Sequence, residues 1–315
     1  MFNMKTFINN TLRLFTVITA LTVFAWTASA QNSAQLVEKS IPVGEFSQLN
    51  VSGDFEVTLS RGDYNAKVTV DKVLEDYIQV YVRTGVLYIK YNEKDVPKEV
   101  KKDLKGKNAP AQVFRAVVYA PQLKGIELED NVVLTVTDEI NSSDFSLKLE
   151  DKAQLKNLSV VASSATVAMS DKSQATLMLT VNNDLELDAD DNSVLRATVN
   201  GSKLAVKAGG SAKATVDATI EGKVSVDAGG RAEITLSGKA GSVAVKGDRN
   251  MKVDTRALPV AELEAKLSGG ELTAKVESVL DVDLSGGSEL YYDGQPEMKV
   301  RRVVKSTLAP ISEKK

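Results

Sequence analysis

The 315-residue chain contains no cysteine and no histidine. The first absence excludes disulfides, thiol nucleophiles and thiolate metal sites; the second removes imidazole ligands and every His-dependent catalytic triad. Aromatic residues make up only 5% of the chain, and Trp26 is the single tryptophan. Apolar residues reach 43% overall, so a core has to be assembled from Val, Leu, Ile and Ala. Neither sign of charge dominates. The 39 basic and 42 acidic side chains leave a formal net charge of -3, which argues against electrostatic binding to nucleic acid.

What is present begins with an address. Lys5 and Arg13 precede an apolar stretch from Leu14 to Trp26, and Ala28-Ser29-Ala30 stands just before Gln31. A basic start, a short apolar run and an A-x-A ending form the pattern of a cleaved secretory signal over residues 1–30. The run is too short and too rich in Thr to span a bilayer, and no stop-transfer pattern follows, so no integral membrane anchor is expected after cleavage. With no Cys at the cleavage point, no lipid anchor is expected either. The expected destination is the periplasm, the outer surface or the medium.

Residues 31–122 read as short strands and turns and hold most of the aromatic residues beyond the signal. Gly53-Asp54 and Arg61-Gly62-Asp63 separate alternating runs, and Thr84-Gly85 lies between Val80-Tyr81-Val82 and Val86-Leu87-Tyr88-Ile89 as a hairpin turn would. Val73 to Ile78 has the length of one helical turn, and Lys94 to Lys107 is a charged excursion suited to a surface loop or short helix. From residue 123 to 304 the texture changes. Period-two runs recur between pairs of turn formers: Glu129-Asp130, Glu150-Asp151, Ser170-Asp171, Asp190-Asp191, Gly209-Gly210, Gly229-Gly230, Lys246-Gly247, Ser268-Gly269 and Ser285-Gly286. Residues 305–315 read as a tail. A period of about 20 with Val, Leu and Ala at alternate positions predicts coils that stack on one another. The predicted fold is therefore all-β: a strand-built entry region running into a parallel β-helix, right-handed as parallel crossovers are. An antiparallel sandwich is the competing architecture.

The run Phe46-Ser47-Gln48-Leu49-Asn50-Val51-Ser52-Gly53-Asp54-Phe55-Glu56-Val57-Thr58-Leu59, the repeated Leu-x-Leu units and the close Tyr291-Tyr292-Asp293-Gly294-Gln295-Pro296 resemble the family described as "putative auto-transporter adhesin, head GIN domain". The likeness runs from about Phe46 to Val304. It implies a β-helical, exported, non-enzymatic protein of a Gram-negative, Bacteroidetes-like cell. The chain departs from that pattern in its acidic corner pairs and in Lys305-Ser306-Thr307-Leu308-Ala309-Pro310, where a Gly-rich finish is usual. An auto-transporter also needs a barrel of alternating strands with aromatic girdles, and no aromatic residue follows Tyr292.

The serious rival is an enzyme acting on carbohydrate through paired carboxylates, for which Asp184, Glu186 and Asp188, or Glu262 and Glu264, supply raw material. Acidic side chains on an outward strand face are ordinarily solvated, and Phe145 is the only aromatic residue between Pro121 and Leu290, which leaves no platform for a sugar. No catalytic residue is therefore assigned. Asp188-x-Asp190-x-Asn192 starts like a calcium loop but lacks its turn Gly and its closing Glu, Ser193 and Val199 standing there instead. Tyr291 and Tyr292, near Arg301 and Arg302, are a partner-binding patch or a cap on the open end of the coil. The acidic corners place Asp130, Asp151, Asp171 and Asp191 in one column about 4.8 Å apart if coils stack in register. Their mutual repulsion requires an offset, either backbone N–H donors in tight turns or calcium ions on the column, the one cofactor candidate in the chain.

The reading is an exported, non-catalytic scaffold or interaction protein, adhesin-like, with a protein or glycan partner; a periplasmic sensor is a further reading, and a homo-oligomer is left open. Trp26 leaves with the signal, so the mature protein should show no tryptophan fluorescence. An indole band on unfolding would mean that the signal is retained.

Overall fold

In the computed structural model, residues 35–104 and 111–314 are described. The segment expected to be a signal, residues 1–30, and the end of the charged excursion lie outside the described residues. The described residues form one compact unit. Of the described residues 71% are strand and 7% helix, a β-solenoid of about 9 turns following a strand-built N-terminal region.

Each coil is one long strand path bent in the middle and closed by a tight corner. Gln174–Ala189 pairs in parallel with Val194–Ala208, and the register slips once, between Val181 and Asp184, where the chain swings from one face to the other. The same slip recurs between Gly201 and Leu204 and between Ile220 and Lys223. Alternation of apolar and polar residues turns one set of side chains inward on every coil, and register stacks them into columns. Leu155, Ala175, Leu195, Ala214 and Ile234 follow one another in such a column, all buried. Bulky side chains thus spread over small neighbours at the short distance between coils. On the other face Leu147, Val167, Leu187, Val206, Val226 and Val245 form a continuous branched column.

Eight of the corners share one left-handed backbone conformation: Asp130, Asp151, Asp171, Asp191, Gly210, Gly230, Arg249 and Gly286 have φ between 58° and 69°, while Gly269 stands apart at 144°. This corrects one corner read from the sequence, since Asp248-Arg249 turns the chain and Lys246-Gly247 does not. Gly247 pairs in register with Ala228, and the space its missing Cβ leaves is taken by the Met251 side chain, 2.2 Å from where that Cβ would stand. A glycine suggested the turn, but packing had used it.

Coiling starts upstream of residue 123. Gln48–Gly53 pairs in parallel with Val86–Tyr91 on one side and Gly125–Asp130 on the other; Glu56–Arg61 lies likewise between Phe114–Ala120 and Val133–Val136. Antiparallel strands then border the entry: Ile78–Arg83 on Val86–Tyr91, Asn65–Asp71 on Phe114–Ala120, and Leu36–Ile41 on Asn65–Asp71. The hairpin turn at Thr84-Gly85 has φ of 53° and 75°, the paired left-handed residues of a type I′ turn. Lys72–Tyr77 is a 3-10 helix, and Lys98–Leu104 is a short α-helix within the charged excursion. At the other end Thr307–Pro310, within the segment read as a tail, forms a strand on Glu289–Asp293.

Two glycines separate the effects of strain and stacking. Gly238 has φ of 107°, and a Cβ there would sit 2.1 Å from the Ala218 carbonyl oxygen of the coil before. Gly85 has left-handed φ with nothing near. Gly238→Ala should lower stability by about 3 kcal/mol or more, and Gly85→Ala by only about 1 kcal/mol, as read from urea midpoints.

Candidate functional site

The acidic corner is a hydrogen-bonded ladder between coils. The N–H of Asp130 donates to Oδ2 of Asp151 at 3.3 Å, that of Asp151 to Asp171 at 3.4 Å, and that of Asp171 to Asp191 at 3.4 Å. At the start of the column the Gly53 N–H donates to Asp130 Oδ2 at 2.9 Å. Aspartate suits this place because it tolerates left-handed backbone and its short carboxylate reaches the neighbouring coil. Gly210 has no side chain to offer Asp191, whose N–H is taken instead by Oδ1 of Asp190 at 2.8 Å. Each turn also closes on itself, as in the Ala153 N–H to Glu150 carbonyl bond of 3.1 Å. The four aspartates are thus brought together in one column, and each carboxylate has a backbone donor.

A second constellation lies beside this corner and has no signal in any short motif. Tyr81, Tyr88, Asn50, Glu127 and Lys148 stand in register across five strands, on the outer face. Tyr81 and Tyr88 stack with centroids 5.0 Å apart, and Lys90 Nζ lies 4.8 Å from the Tyr88 ring centre. Asn50 Nδ2 donates to Glu127 Oε2 at 2.7 Å. Lys148 Nζ bridges Glu127 at 3.0 Å and Glu150 at 2.9 Å. Oxygen atoms of Glu127, Glu129 and Glu150 all lie within 4.8 Å of one another. Glu129 also borders a cleft of about 600 Å³ whose lining includes Ser52, Gln79, Lys90 and Asn131.

Electrostatics differ within this group. Burial raises the Glu127 carboxyl, but hydrogen bonds from Lys148 and Asn50 outweigh it and hold Glu127 below its ordinary value. Glu129 is pushed up, first by burial and then by the charge of Glu127, with Glu150 adding to it. Lys148 is held above its ordinary value by its bonds to Glu150 and Glu127.

The carboxylates of the enzyme reading lie in a different place. Asp184 faces Lys203 of the next coil at 3.5 Å, and Glu186 pairs with Lys207. Asp188, Lys207, Asp227 and Lys246 alternate in sign down one column. Burial raises the Asp188 carboxyl, with Lys207 opposing. Glu264 lies 3.9 Å from Arg301. This is the pattern of a face stabilised by charge pairs between coils. Tyr291 and Tyr292 lie one strand in from the terminal one, between Leu272–Lys275 and Thr307–Pro310. Tyr292 packs partly against the core; Tyr291 faces out, its hydroxyl donating to Glu289 at 3.1 Å and its ring under Lys314. Arg301 and Arg302 pair with Asp281 and Asp283.

The protein is thus of the β-solenoid class, its interior filled by stacked apolar columns. The chain belongs to the family "putative auto-transporter adhesin, head GIN domain", whose model matches residues 45–197 and again 178–296. Among solved structures it is similar to a putative adhesin from Parabacteroides distasonis, at 19% identity over 88% of this chain and 98% of that one, TM-score 0.49. A putative lipid binding protein from the same organism is similar at 15% identity, covering 88% and 96% of the two chains, TM-score 0.47. A putative adhesin from Parabacteroides merdae is similar at 15% identity, 88% and 96% coverage and TM-score 0.45. No curated protein matches the sequence. Among the described residues no helix is long and apolar enough to cross a membrane.

Two outcomes test these geometries. Asp151→Ala should cost about 1–2 kcal/mol, through a lost acceptor and left-handed strain, while Asp151→Asn, which keeps both, should stay close to wild type in urea unfolding. For Glu129 the sign is the reverse of a salt-bridged acid. Its folded form holds the proton more tightly than the unfolded form, so its contribution is fullest at acid pH and is lost as pH rises through the raised value. Glu129→Gln should therefore be more stable than wild type at neutral pH, and the gain should shrink below the ordinary carboxylate range.

Proposed function

We propose that the protein is an exported, non-catalytic β-solenoid scaffold that presents its outer faces to a protein or glycan partner at the cell envelope. The family match over residues 45–197 and 178–296 carries the reading. The stacked interior supports it, because columns such as Leu147 to Val245 fill the space where an enclosed substrate site would lie. The ion-paired state of Asp184 and Glu186 supports the absence of catalysis, since each carboxylate is matched by a lysine of the next coil. Export rests on the basic, apolar and A-x-A pattern of residues 1–30.

Fractionation of the native cell, combined with N-terminal sequencing, tests the location. Protein in an envelope fraction or the medium, beginning at Gln31, is expected; intact protein in the cytosol beginning at Met1 would overturn export. Incubation with a panel of glycans tests the rest. Retention without turnover is expected, whereas turnover abolished by Glu186→Gln or Glu264→Gln would replace the scaffold reading with an enzyme.

A further inference from the structure

The entry strands leave one level of the solenoid incomplete. Glu56–Arg61 lies between Phe114–Ala120 and Val133–Val136. Those two neighbours continue across the bend into Gly125–Asp130 and Ile140–Leu149. Glu56–Arg61 does not cross; the chain turns at Gly62 and returns as Asn65–Asp71, antiparallel to Phe114–Ala120. At the missing crossing is a chamber of about 310 Å³ whose apolar lining is Leu59, Ala120, Leu123, Val136 and Ile140. The charged groups around it are engaged within the protein. The Arg61 guanidinium donates to the Glu139 carbonyl at 2.9 Å, Asp138 accepts the Arg61 N–H and the Thr137 hydroxyl, and the Glu139 carboxylate accepts the Ser159 hydroxyl.

Gln122, Leu123 and Asn141 also line a groove of about 470 Å³ that adjoins the chamber and runs over the bends of the next coils. Its polar lining includes Ser47, Ser142, Ser143, Ser163 and Asn182, and Lys124 is the one charged side chain among its described residues. Elsewhere on the solenoid the outer polar side chains pair with one another, as Asp184 does with Lys203 and Lys213 with Glu233. Here the side chains of Gln122, Asn141, Ser163 and Asn182 and the hydroxyl of Tyr64 make no hydrogen bond to any described residue. Tyr64 borders the same groove, its ring centre 5.2 Å from that of the buried Phe46.

Amides and hydroxyls both donate and accept, which matches a ligand built of uncharged hydroxyls. An aromatic ring held in place by packing matches the C–H face of a pyranose. An apolar chamber beside them suits a small apolar substituent, such as the methyl of an acetamido group. From these three matches we infer that the cleft binds an uncharged oligosaccharide bearing acetamido groups, with its sugar rings along the groove and one acetamide in the chamber. The site rests on the scaffold reading above and gives that reading a glycan and a place.

Calorimetric titration of the purified protein with fully N-acetylated chitotetraose, beside cellotetraose and an uncharged peptide rich in Ser and Asn, tests the site. The acetylated sugar should bind about tenfold or more tightly than cellotetraose, which offers the chamber no methyl group. Tyr64→Leu, which keeps an apolar side chain against Phe46, should weaken binding about tenfold. Asn182→Ala, on an exposed bend, should weaken it about threefold or more. Lys213→Ala, on the charge-paired face, should leave it unchanged. Absence of heat with the acetylated sugar at millimolar concentration would overturn the site. So would equal binding of cellotetraose, tighter binding of the peptide, or an affinity unmoved in both Tyr64→Leu and Asn182→Ala. If other glycans are still retained in such a case, the site alone falls; cleavage of the acetylated sugar would overturn the scaffold reading with it.

Discussion

Parallel backbone pairing between one coil and the next is the interaction on which everything else in this protein depends. A single coil of Val, Leu and Ala buries too little to offset the entropy of ordering its backbone, and it has no hydrogen-bond partners of its own outside the corner turn. Register between coils supplies both needs at once. It satisfies N–H and C=O groups and brings Leu155 over Ala175 over Leu195, so that each coil's apolar face becomes the next coil's contact. The absence of cysteine is tolerable for that reason: stacking replaces the disulfide as the source of long-range constraint.

The same repetition has a penalty at the corner. Identical turns place identical residues above one another, and four successive aspartates meet at a spacing where like charges repel. The chain meets this by using each carboxylate as an acceptor for the neighbouring coil's corner N–H, which turns the repeated charge into a structural bond. Where the column changes to Gly210 and Gly230, backbones approach too closely for any side chain, since a Cβ on Gly230 would be 2.6 Å from the Gly210 carbonyl oxygen. Aspartate and glycine are therefore two solutions to one left-handed position. The first adds a bond, the second permits contact.

The outer faces carry what individuality the molecule has. Along most of the solenoid they are ladders of opposite charge, such as Asp184 with Lys203 and Lys213 with Glu233. The junction with the entry strands is different: aromatic stacking, a buried asparagine and three close glutamates meet across Tyr81, Tyr88, Asn50 and Glu127. Their sequence separations are large, and only pairing of Gln48–Gly53 with both Val86–Tyr91 and Gly125–Asp130 brings them together.

By itself, the sequence determined the period, the inward residues, the strand class and the aspartate column, because these follow from local alternation and from residues that favour left-handed turns. The hairpin at Thr84-Gly85 and the corners at Asp151, Asp171 and Asp191 were legible for the same reason. Tertiary structure decided the rest. It moved one corner from Gly247 to Arg249, since Met251 needed the glycine's space, and it drew residues 48–61 and 307–310 into the stack. It also decided which glutamates meet Asn50, because pairing across 77 positions is a property of register between distant strands, and no local pattern encodes register at that range.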